Sequence, residues 1–117
     1  TTLYRRDRAL AQRVRQDLRA ALPDAPTLPA LARRLFLSPR TLHRRLGEEG
    51  TSFRGIRDAL RRDLAIEWLT TTTRPLGRIG ADLGFADAAA FYRAFREWTG
   101  RGPRDYRNRF GGPQAPK

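Results

Sequence analysis

The chain has 117 residues, 39% apolar and 31% charged, a size and balance that fit one domain or two small subdomains sharing a connector. Its 23 Arg and one Lys outweigh 12 acids and leave a net charge of +12, which points to an anionic partner, nucleic acid before an acidic membrane surface. With no cysteine there is no disulfide framework or zinc–thiolate site, one histidine cannot assemble a His-based metal site, and no apolar run nears the roughly 20 residues that span a bilayer.

The chain opens without an initiating Met or a secretory pattern, so it is expected to be a piece of a longer cytoplasmic protein. Leu10, Val14, Leu18 and Leu22 stand at i+4 spacing and predict an amphipathic helix over residues 4–22, ended by Pro23. After a turn at residues 23–26, Thr27 is placed to cap a short helix at about 28–35, with Pro29 in its first turn. Ser38 followed by Pro39 is a strong helix start, a hydroxyl cap before proline at the first helical position. That helix should reach about Glu49 and stop at Gly50, leaving Glu48 and Glu49 as a solvated helix end.

Ser52 opens the longest predicted helix, at about 52–72, along which Phe53, Ile56, Leu60, Leu64 and Trp68 form one stripe. Near its end Ile66 and Leu69 make a second side apolar, as expected of a helix that packs against different partners at its two ends. The β-branched stretch from Thr70 to Pro75 stops it. Helices at about 76–83 and 88–99 follow, then a Gly-rich turn and a last helix from Pro103 to about Arg109. Asp87 reads as the cap of the helix at 88–99. No strand pattern competes, so the expected fold is all-α with about seven helices. The expected organisation is a first subdomain at 1–51, a connecting helix at 52–72, a second subdomain at 73–110 and a disordered tail at 111–117.

Residues 31–46 and 79–95 follow one plan: a short helix, a tight turn ending on a capping residue, and a second helix. In the second helix Leu42, Arg44 and Leu46 match Phe91, Arg93 and Phe95. This is the pattern of a helix-turn-helix, whose second helix lies in the major groove of double-stranded DNA. In the first unit Leu42 and Leu46 must face the core, which turns Arg40, Thr41, His43 and Arg44 outward. Arg can bond guanine O6 and N7 together, and His or Thr can meet base or phosphate acceptors. Arg45 and Arg34 suit phosphates better.

In the second unit Phe91 and Phe95 take the core positions and leave Ala88, Ala89, Tyr92 and Arg93 outward, with Arg96 a further phosphate or mixed contact. The first unit is thus expected to carry more direct base reading, and the second more backbone contact and shape reading. Residues 33–62 hold nine Arg against three acids, residues 76–110 seven against four, which agrees. Leu42 and Phe91 are 49 positions apart with the long helix between them. About 20 helical residues extend roughly 30 Å, close to the 34–36 Å of one DNA turn.

Other chemistry finds little support. Two serines, one histidine and no cysteine offer no nucleophile, base and orienting group, so no catalytic residue, metal ligand or cofactor is expected. Trp68 and Trp98 have apolar neighbours and fit core positions. A non-specific nucleic-acid or RNA binder, and a protein-interaction or membrane-surface helical module, remain open as uses of the same charge.

Residues 84–107 carry G-F-x-D, F-x-R-x-F, a W-T-G turn and P-x-x-Y-R, and residues 37–46 read L-S-P-R-T-L-H-R-R-L before E-E-G-T-S-F at 48–53. These resemble the AraC/XylS family of bacterial transcription regulators over about residues 8–109. The resemblance implies a seven-helix DNA-binding domain with two helix-turn-helix subdomains on a long helix, and base contacts from Arg40, His43 and Arg44, then Ala89, Tyr92 and Arg93. It also implies a separate effector-binding or dimerisation domain, and activation of transcription through RNA polymerase in most members. Two features depart from the pattern: Phe36 stands where the second unit has Gly84, and Ala88, Ala89 and Ala90 replace polar residues.

Overall fold

The computed structural model describes residues 8–111, which form seven helices and no strand. They are α1 (Ala9–Ala21), α2 (Leu28–Arg34), α3 (Pro39–Glu48), α4 (Phe53–Thr71), α5 (Leu76–Asp82), α6 (Ala88–Thr99) and α7 (Pro103–Phe110). Each observed boundary falls close to its predicted one. Residues 4–7 of the first predicted helix and 112–117 of the expected tail lie outside the described residues.

Two compact units meet within α4, one ending at Leu60 and the other beginning at Arg61. In the first, Val14 and Leu18 of α1, Leu31 and Ala32 of α2, Leu42 and Leu46 of α3, and Ile56 and Leu60 of α4 are buried. In the second, the buried set is Leu64, Ala65 and Leu69 of α4, Ile79 and Leu83 around α5, and Phe91 and Phe95 of α6. The change of apolar face along α4 is therefore a change of unit: its first half packs in one core, its second half in the other.

Local chemistry sets the helix ends. Thr27 Oγ1, Ser38 Oγ, Ser52 Oγ and Asp87 Oδ1 accept hydrogen bonds from Ala30, Thr41, Gly55 and Ala90 N, at 3.3, 3.0, 2.9 and 2.8 Å. Each satisfies an amide that the first helical turn leaves without a partner. At the far end of α4, Thr70 and Thr71 turn their hydroxyls back on the Ile66 and Glu67 carbonyls at 2.7 and 2.6 Å. Such bonds compete with continuation of the helix. Arg107 then fans across the end of α4, donating to Leu69 O at 3.1 Å and Trp68 O at 3.3 Å within it and to Thr72 O at 3.2 Å just past it. This partial burial lowers the Arg107 pKa from its ordinary value.

Glu49 is more than a solvated helix end. Its carboxylate accepts from Ala11 N at 2.8 Å and from Leu10 N at 3.2 Å, so it caps α1 from 38 and 39 positions away. Arg8, at the N-cap position of α1, makes no side-chain cap bond, and Glu49 supplies the missing acceptor.

The turns of the two units share one hydrogen-bond pattern. After α2, Leu37 N donates to Ala32 O and Phe36 N to Arg33 O; after α5, Phe85 N donates to Gly80 O and Gly84 N to Ala81 O. These are paired Schellman closures, each with a left-handed residue at its centre. Gly84 takes φ +90°, which costs glycine nothing. Phe36 takes φ +59° in the same role and leaves its ring 95% exposed. The first turn is thus undistorted, and Phe36 neither packs nor relaxes it.

Candidate nucleic-acid interface

In α3 the cap and the core anchors together decide which side chains face out. Ser38 Oγ holds the Thr41 amide and also donates to Thr41 Oγ1 at 2.9 Å, so the helix starts firmly at Pro39. Leu42 and Leu46, one turn apart, are fully buried. The opposite face presents Arg40, His43, Arg44 and Arg45 to solvent, with Thr41 half-buried at its edge. Glu48 joins that face: Arg44 Nη1 donates to Glu48 Oε2 at 2.9 Å, one helical turn away.

In α6 the Asp87 cap and the buried Phe91 and Phe95 play the same parts. Ala88, Ala89, Tyr92, Arg93, Arg96 and Glu97 are exposed on the other side. The Tyr92 ring leans edge-on against Phe91 at 5.9 Å between centroids and remains 38% exposed. The remaining aromatics of this unit are mostly engaged with one another, as in Phe85 with Phe91 at 5.5 Å and Phe95 with Tyr106 at 5.2 Å. Arg61 stacks over Phe85 at 4.4 Å while its Nε donates to Leu83 O at 3.1 Å, which fastens the turn before α6 to α4.

The structure brings Arg40, Thr41, His43, Arg44 and Arg45 onto one helix, and Ala88, Ala89, Tyr92, Arg93 and Arg96 onto another. Arg34 stands elsewhere. It lies at the end of α2 and lines a shallow depression with Arg13, Asp17, Ala20 and Ala21 of α1. Glu48 is the member of the face that sequence reasoning left out; its i+4 spacing from Arg44 was the available signal. Among the described residues no cluster of His, Cys, Asp or Glu could hold a metal ion, and no helix is long and apolar enough to cross a membrane.

A short helix, a Schellman turn and a capped second helix with a polar outer face, present in each unit, define a tandem helix-turn-helix protein. The chain belongs to the AraC/XylS family of transcription regulators: the family model described as a helix-turn-helix domain matches residues 31–109. It is 47% identical over 98 residues to the ornithine utilization regulator of Pseudomonas aeruginosa, an alignment covering 84% of this chain and 29% of that protein. The chain therefore spans under a third of that relative's length. The fold matches the C-terminal domain of AraT, a response regulator from Geobacillus stearothermophilus, with a TM-score of 0.82 and 27% identity over 93% of this chain and 92% of that one. It also matches the DNA-binding domain of AdpA, a global transcriptional factor, in complex with a target DNA, with a TM-score of 0.72 and 22% identity over 86% and 88% of the two chains.

Proposed function

We propose that this domain binds double-stranded DNA in a sequence-specific manner by placing α3 and α6 in successive major grooves. The observation that carries this is the outer face of α3: Arg40, His43, Arg44 and Arg45 stand exposed opposite the buried Leu42 and Leu46, on a helix whose start is pinned by Ser38. Repetition of that design at α6, beyond α4 in chain order, supports a bipartite site. The AdpA domain, bound to its target DNA, offers a parallel for the partner.

In this proposal Arg40, His43 and Arg44, then Ala89, Tyr92 and Arg93, face base edges, while Arg34, Thr41, Arg45, Ala88 and Arg96 serve phosphates or both. The alanines of α6 can touch only a thymine methyl or permit close approach, so the second half-site is the looser one. The domain acts without enzymatic chemistry, metal or cofactor. In the full-length protein it works in the bacterial cytoplasm beside an effector-binding or dimerisation domain and activates transcription through contact with RNA polymerase.

Selection of bound sequences from a random DNA pool tests this directly. Two preferred blocks about one helical turn apart, the first sharper than the second, are expected. Recovery of no preferred sequence would refute specific binding, and a single block would refute the bipartite mode.

A further inference from the structure

The carboxylate of Glu48 sits on the very face that should approach DNA phosphates. Its partner Arg44 lies one turn earlier, joined to it at 2.9 Å, and the two side chains are 60% and 62% exposed. An exposed i,i+4 pair contributes only about 0.3–0.5 kcal/mol to a helix, so stability is a weak reason for an acid there. The second unit repeats the pair in sequence: Arg93 and Glu97 occupy the matching positions, both exposed. No hydrogen bond or ion pair joins them, so Arg93 is free where Arg44 is held.

We infer that Glu48 is a specificity-determining residue that positions Arg44 for guanine. This rests on α3 being the helix in the groove. A guanidinium offers five donors in a rigid fork, and one directed at Glu48 leaves enough for both O6 and N7 of guanine. The bond to Glu48 removes rotamer freedom that Arg44 would otherwise lose on binding. The same negative charge repels the phosphates to which an unheld Arg44 would turn on random DNA. Glu48 therefore lowers non-specific affinity more than specific affinity. Glu97, with no arginine in its grip, lowers both alike.

The test compares wild type, Glu48→Gln, Glu48→Asp and Glu97→Gln on the selected site and on random duplex, with a repeat selection for each variant. Glu48→Gln should tighten binding to random duplex and cut the specificity ratio by about two- to fivefold, with a weakened preference at one base position in the first block. Glu48→Asp keeps the charge but shortens the reach to Arg44, so it should weaken that base preference without raising random-duplex affinity. Glu97→Gln should shift both affinities by one factor and leave the preferred sequence unchanged. If wild type itself shows no preference, α3 does not read DNA and the underlying proposal fails. If wild type discriminates and Glu48→Gln only matches the uniform shift of Glu97→Gln, or the base preference is undiminished in both Glu48 variants, the positioning role is overturned.

Discussion

Gly80 and Phe91 meet so closely that a Cβ at position 80 would stand 2.9 Å from the Phe91 Cβ. The contact joins α5 to α6 in the second unit, and both residues are buried. The first unit solves the same crossing differently: Ala32 takes the place of Gly80 in the turn pattern, and the smaller Leu42 stands where Phe91 does. Size lost on one helix is matched by size gained on the other.

Gly80→Ala should therefore destabilise the second unit by about 1–3 kcal/mol, the usual range for overpacking, despite the better helix propensity of alanine. Adding Phe91→Leu should recover part of that loss, because the pair then copies Ala32 with Leu42. A double-mutant cycle by denaturant unfolding checks it, with a favourable coupling of about 1 kcal/mol expected. Simple additivity would mean that the two units do not share this packing rule.

Phe36 invites the opposite change. A left-handed conformation costs a non-glycine residue about 1–2 kcal/mol, and glycine gives back about 0.5–1 kcal/mol of unfolded-state entropy. The ring is 95% exposed, so little packing is lost. Phe36→Gly should stabilise the domain by up to about 1 kcal/mol and raise its melting temperature by a few degrees. A lower melting temperature would show that the ring has a structural contact.

The two adjacent glutamates should behave unlike each other. Glu49→Ala removes the acceptor for Leu10 N and Ala11 N and should cost about 1–2 kcal/mol, as loss of a helix cap does. Glu48→Ala loses only an exposed pair and should cost well under 1 kcal/mol. Thermal melts of the two variants side by side distinguish them; equal losses would contradict the cap.

Asp105 supplies a pH signature. Burial tends to raise its carboxyl, but hydrogen bonds from Arg101 and Arg109, with the charges of both, outweigh that and hold it below the usual aspartate value. The bonds run from Arg109 Nε at 3.2 Å and Arg101 Nη1 at 3.3 Å. A depressed folded pKa means that the stabilisation is complete above the unfolded value, near pH 4, and is lost as pH falls through the folded one. The gap in melting temperature between wild type and Asp105→Asn should thus hold steady from about pH 8 to pH 5 and shrink as the pH falls further. A gap that widened on acidification would reverse the sign and discard the interaction.

What could be foreseen and what could not divide along sequence distance. The helices were legible because apolar residues at i+4 and the caps Thr27, Ser38, Ser52 and Asp87 act within one or two turns. For the same reason the outer faces of α3 and α6 followed once Leu42, Leu46, Phe91 and Phe95 were placed in the core. Glu49 on α1 and Arg107 on the end of α4 join residues 35 to 39 positions apart, and no local pattern announces them. Nothing local announces the φ of +59° at Phe36, because its residue type argues against a left-handed backbone while the Schellman bonds of the turn demand it. Arg34 lies at the end of α2 beside α1 and off the outer face of α3, a placement that residue type alone does not announce.

Arg44 and Arg93 set the final test, since both stand on outer faces but only one is paired. On the selected site Arg44→Ala should lower affinity by roughly 10-fold or more and erase preference at one base pair, the cost of losing a bidentate guanine contact. On random duplex it should do far less if Glu48, bonded to that guanidinium at 2.9 Å, plays the positioning role inferred above. Arg93→Ala should weaken the second half-site and also reduce binding to random duplex, since its guanidinium has no carboxylate to hold it. The salt dependence separates the two effects. Each phosphate contact contributes about 0.9 to the slope of log affinity against log salt, so Arg93→Ala should flatten the slope by up to about one contact and Arg44→Ala by less. Equal flattening, with specific and random duplex weakened alike by both substitutions, would reduce the two arginines to phosphate contacts and leave base reading to Arg40, His43 and Tyr92.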